Sequence, residues 1–135
     1  MNMHEVVAEI GQRVGIPDFS LDSEGHAAFV TDQDLHIELH ATDDRARLKF
    51  NAVIGKLRED RAARLMLDLL SANAAATGVC APFFAFHKST REVVLSASFP
   101  VDLLPLEAAP DVLILLIERA NAERARLANC GLQVF

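Results

Sequence analysis

The stretch Leu35-His36-Ile37-Glu38-Leu39-His40-Ala41-Thr42-Asp43-Asp44-Arg45-Ala46-Arg47-Leu48-Lys49-Phe50-Asn51-Ala52 decides the fold. Leu35, Ile37, Leu39 and Ala41 alternate with His36, Glu38 and His40. Ala46, Leu48, Phe50 and Ala52 alternate in the same way with Arg45, Arg47, Lys49 and Asn51. Successive side chains of a strand point to opposite faces, so each run reads as a strand with one buried and one wet face. Thr42-Asp43-Asp44 has the composition and length of a hairpin turn. Upstream, His26 to Asp32 reads as another strand, joined through the turn Asp32-Gln33-Asp34. The result is a three-stranded antiparallel meander.

Helices are predicted on both sides of the meander. Met3, Val7, Ile10 and Val14 form one apolar stripe over Asn2 to Gly15. Asn2 and Glu5 have the spacing of a capping box, and Gly15 stands where a helix end favours positive φ. Ile16-Pro17-Asp18 ends this helix. Gly55 breaks the strand pattern, and Leu57 to Asn73 reads as a second helix with Glu59 and Asp60 in its first turn. Leu65, Met66, Leu67, Leu69 and Leu70 cover well over half its circumference, relieved only by Arg64 and Asp68. A helix apolar on two sides must be buried on two sides, and in so small a domain the second side calls for a partner chain.

Pro82 to Lys88 and Glu92 to Phe99 read as a second hairpin around Ser89-Thr90-Arg91. Alternation places Phe83 opposite Phe84 and Phe86. Pro100 to Pro110 is a connector carrying Leu103, Leu104 and Leu106. Pro110 sits in the first turn of a third helix, which faces Leu113, Leu116, Ile117, Ala120 and Leu127 inward and runs to about Gly131. Residues 1–135 are thus expected to form one α+β domain: helix, three strands, helix, two strands, helix, a twisted antiparallel sheet with packed helices.

Composition bounds the function. Half the residues are apolar, Trp and Tyr are absent, and the net charge is −6. An acidic chain with no basic run lacks the face that displaces counterions from nucleic acid. Met1 to Gly15 lacks the layout of a signal peptide, and the longest apolar run, Val112 to Ile117, is too short to span a bilayer. Cys80 and Cys130 share no metal-like spacing. These features predict a cytoplasmic protein that neither binds nucleic acid nor enters a membrane.

Candidate chemistry is sparse. His36-x-Glu38-x-His40 lies on one strand face, its Cα atoms roughly 7 Å apart in steps of two. A flat strand resists the convergence that zinc ligands need, so a solvated face is the expectation and metal the lesser alternative. Cys80 and His87 would make a nucleophile and base only if brought within hydrogen-bond reach. Arg119, Glu123, Arg124 and Arg126 mix signs and read as a wet helix face. No glycine-rich phosphate loop is present. The expectation is a protein without catalytic residues, cofactor or metal.

The element order, length and acidity resemble those of the class I type III secretion chaperones, the Tir chaperone or CesT-like family, from about Met3 to Leu127. The resemblance rests on Leu67-Asp68-Leu69-Leu70-Ser71-Ala72-Asn73, a Leu-rich helix ending in Asn, then Phe84-Ala85-Phe86-His87, Val94-Leu95-Ser96, and Pro100 with Leu103 and Leu106. It implies a homodimer built through the second helix and a secreted effector as partner, its extended N-terminal segment wrapped around the outside. Leu65, Met66, Leu69 and Leu70 are the expected dimer contacts. Val7, Ile10, Val14, Phe29, Leu35, Ile37 and Leu39 are the expected effector contacts, since an extended chain fits apolar stripes and sheet edges. The alternatives are a small-ligand-binding or sensory α+β domain, with an enclosed cavity, and a metal-dependent enzyme.

Overall fold

The computed structural model describes residues 2–58 and 62–134. The elements run α1 (Met3–Val14), β1 (His26–Val30), β2 (His36–Ala41), β3 (Arg47–Leu57), α2 (Ala62–Ala75), β4 (Phe83–His87), β5 (Glu92–Pro100), α3 (Ala108–Ala128) and β6 (Leu132–Gln133). The α+β order read from the sequence is present, with one added strand. Glu59 and Asp60, placed by the sequence in the first turn of the second helix, lie outside the described residues.

Capping fixes α1 where the sequence put it. The Asn2 side chain accepts from the Glu5 amide, the Glu5 carboxylate accepts from the Asn2 amide, and Gly15 closes the helix at φ 80°. The sheet is antiparallel, in the order β1-β2-β3-β5-β4. Its registers stack rows across the strands: Phe29–Ile37–Ala52–Leu95–Phe84, and beside it Ala27–Leu39–Phe50–Ala97. These rows face the core. α3 packs over β3 and β5, α1 packs on α3, and α2 lies by β4. Phe50, Phe99, Ile10, Leu113 and Leu116 are among the fully buried side chains, each stabilising the fold by roughly 1.5–3 kcal/mol through removal of apolar surface from water.

The opposite face of the sheet holds His36, Glu38 and His40 of β2, Lys49, Asn51 and Val53 of β3, and Glu92, Val94 and Ser96 of β5. Asn51 and Ser96 are nonetheless buried there, and the Ser96 hydroxyl donates to the Asn51 side-chain oxygen.

Gly55 does not end its strand. β3 continues to Leu57 through a register shift between Val53 and Gly55. Past Val53, where pairing with β2 stops, the same edge is taken by β6 against Lys56 and Leu57. Gly55 is required by that approach, because a Cβ there would lie 2.6 Å from the Gln133 carbonyl oxygen and 2.9 Å from Leu132 Cγ. The Gly55→Val substitution is therefore expected to displace β6 and destabilise the protein by about 1–3 kcal/mol. Thermal melts would measure it, and a Gly55→Val protein as stable as the parent would contradict the packing.

The third helix is corrected in one respect. Glu123 is buried rather than on a wet face, held by Arg119 Nε at 3.0 Å and by Arg126 Nη2 at 2.7 Å. Two guanidinium groups satisfy a carboxylate that would otherwise be costly to bury.

Candidate protein-binding surface

α2 sorts its leucines by angle. Leu65 and Leu69, four apart, are buried in the core that also holds Phe84, and Met66 is half-buried against it. Leu67 and Leu70 point away, 65% and 61% exposed. The expected dimer set, Leu65, Met66, Leu69 and Leu70, is therefore split: Leu65 and Leu69 belong to this chain's own interior. Leu67, outside that set, is exposed on the outer face with Leu70. Val79 in the following loop and Phe83 at the start of β4 are exposed as well. Phe83 lies opposite Phe84 and Phe86, as strand alternation requires.

The expected effector contacts are corrected in the same way. Val7, Ile10, Leu35, Ile37 and Leu39 are closed within the core, leaving no side-chain surface for another chain. They line the inner face because α1 and the meander turn their apolar stripes toward α3 and each other. The sequence shows which stripe is apolar but not which side of it stays open. Val14 and Phe29 are only half-buried against the core, and Phe29 meets Phe19 edge-on with ring centroids 5.7 Å apart.

The two edges of the sheet are held differently. At β1, the Asp22 amide donates to the His26 carbonyl at 2.8 Å, and the His26 amide donates to the Asp22 carboxylate at 2.9 Å. Bonds from the His26 and Glu24 amides hold the Asp22 carboxyl below its usual range. Alternation in an antiparallel ladder then directs the N–H and C=O of Ala28 and Val30 outward too, away from β2, and Val30 is 52% exposed. At β4, the Asn73 carboxamide reaches the strand from the end of α2. Its Nδ2 donates to the Phe84 carbonyl at 2.9 Å, and its Oδ1 accepts from the Phe84 amide at 2.6 Å.

No reactive constellation accompanies these surfaces among the described residues. Glu38 turns to His40 at 3.5 Å, and the His40 ring packs on His26 with centroids 4.4 Å apart. His36 instead lines an open depression of about 380 Å³ with Glu38, Val53 and Glu92. Among the described residues, no three His, Cys, Asp or Glu side chains could hold a metal ion. Cys80 lies in the loop before β4 and His87 ends that strand, so along the chain the whole of β4, roughly 13 Å long, comes between them. Burial also pushes the Cys80 thiol up, only partly offset by Arg47, the reverse of what a nucleophile needs. Among the described residues, no buried side-chain nitrogen or oxygen lacks a partner, and no helix is long and apolar enough to cross a membrane.

A family model, that of the Tir chaperone protein (CesT) family, matches residues 5–124. Among solved structures, a chain of the ExsC–ExsE complex is similar at 25% identity and a TM-score of 0.73, over 93% of this chain and 96% of that one. A chain of the Yersinia pestis type III secretion chaperone SycH in complex with a stable fragment of YscM2 is similar at 17% identity and a TM-score of 0.70, over 88% and 97%. A chain of the HopA1–SchA chaperone–effector complex follows at 14% identity and a TM-score of 0.71, over 89% and 91%. No curated protein matches the sequence closely.

Proposed function

The chain belongs to the Tir chaperone protein (CesT) family, and from that premise we propose that it is a type III secretion chaperone. It binds the non-globular N-terminal segment of a secreted effector, holds it extended and keeps it competent for export. The observation that carries this reading is the family match over residues 5–124. The SycH and HopA1–SchA complexes, in which chaperones bind other proteins, agree with it. The chaperone works in the cytoplasm and catalyses nothing.

Physical chemistry supplies the rest. A client that is disordered when free loses conformational entropy on binding, so a long contact surface is needed, on the order of 1,000–3,000 Å². A homodimer repeats its surface and provides that length. Dimerisation uses the outer face of α2, Leu67 and Leu70 with half-buried Met66, where the leucines stand open to solvent on a single chain. The client lies along Val14 of α1, Phe29 and the open main chain of Ala28 and Val30. Main-chain bonds there are indifferent to sequence, while neighbouring apolar side chains select.

Deleting the gene in its host and following the type III substrates tests the function. One substrate is expected to lose secretion and to become unstable, and to co-purify with the chaperone with its N-terminal segment shielded from protease. Unchanged secretion of every substrate would refute the reading.

A further inference from the structure

β4 is an edge at which this sheet could pair with another chain. Phe83-Phe84-Ala85-Phe86 carries no charge, and an uncharged, apolar edge strand is a template for pairing with another chain. Only two of its residues, Phe84 and Phe86, turn their N–H and C=O away from β5. Asn73 occupies both groups of Phe84, in the geometry that a neighbouring strand would use. On β1, Asp22 occupies only His26 and leaves two successive outward positions, Ala28 and Val30.

We propose that Asn73 is a gate on the sheet. Its carboxamide stands in for a strand at Phe84 and closes β4 against pairing with β4 of a second copy. Of the two end strands of the path β1-β2-β3-β5-β4, that leaves β1 for intermolecular strand addition. Asn73 is thus a specificity-determining residue that touches no client. That the strand added at β1 is an effector's rests on the function proposed above; the closure of β4 does not.

Amide hydrogen exchange and light scattering on the full chain, without effector, test the closure. In the parent protein, the Phe84 amide should exchange far more slowly than the Phe86 amide, which points outward unclaimed. Equal rates, or a Phe86 amide protected by a partner strand, would overturn the proposal whether or not any variant folds. In the Asn73→Ala variant, Phe84 exchange at low concentration should rise about tenfold or more, while Ala85, bonded to β5, stays protected. Species larger than the parent assembly should then grow with concentration. Adding Ala85→Lys, on the face away from the core, should restore the parent mass, because edge charge blocks strand pairing. A folded Asn73→Ala variant that keeps the parent mass at every concentration would refute the gate. Since no effector enters these measurements, their failure leaves the chaperone reading standing, and failure of that reading leaves the gate standing.

Discussion

Ile10→Asp is expected to abolish the folded state. Ile10 sits on the inner face of α1 with no exposed surface, in one cluster with Val6, Val7 and the sheet. The substitution removes about 2–3 kcal/mol of apolar burial and adds a carboxylate with no partner, which must stay ionised at several kcal/mol or be protonated at a further cost. A single domain of this size has about 5–15 kcal/mol of total stability, so the sum consumes most or all of it. Circular dichroism and dispersion of the amide spectrum would read the result directly. A cooperatively melting Ile10→Asp protein within a few degrees of the parent would mean that α1 is not packed as described. Val14→Asp, at the half-exposed end of the same helix, should fold and can therefore report on client binding.

The contrast between these two residues shows what the sequence could tell. Period fixes the element: 3.6-residue spacing marks α1, two-residue alternation marks β2 and β3, and the Asn2 box and Gly15 set the ends of α1. Period also fixes which residues share a face. It does not say whether that face meets the chain's own interior or another chain, because both environments select the same apolar side chains. Val7, Ile10, Leu35, Ile37 and Leu39 read equally well as groove or core, and the packing of α3 decides for core. α2 shows the converse. Its two-sided apolarity was legible, but the division of Leu65 and Leu69 from Leu67 and Leu70 depends on the rotation of the helix at the β4 edge.

Features made by non-local contacts were less legible still. Gly55 reads as a strand breaker because its partner across the gap, β6, lies at the far end of the chain. Two residues of strand carry too little pattern to announce themselves. Glu123 reads as a wet charge until Arg119 and Arg126 are seen closing on it. Its spacings to them, four back and three on, were the available signal, since such neighbours meet on a helix surface. Asn73 stood in the sequence as the last residue of a Leu-rich helix, and its bond to Phe84 required the tertiary fold.

The Leu67→Asp/Leu70→Asp double variant is expected to convert the proposed dimer to folded monomer. On one chain both positions are largely exposed, so charge there should alter intrinsic stability by only about ±0.5 kcal/mol each. In an isologous interface each substitution enters twice, once from each protomer. It replaces apolar contact with carboxylates that face each other without a countercharge. Even at about 2 kcal/mol for each buried, unpaired group, the lower end of such costs, the four together match the ~8 kcal/mol that holds a micromolar dimer. Light scattering at micromolar concentration should therefore give half the parent mass, with the helix and sheet signal of the parent retained. Leu69→Asp should behave differently: Leu69 is buried in the chain's own core, so that variant loses its fold along with its partner. Three results would defeat the assignment: a monomeric parent, a double variant that remains dimeric, or a Leu69→Asp variant that separates into well-folded monomers. The last would place the α2 interface on the opposite side of the helix, with Leu65 and Leu69 facing the partner.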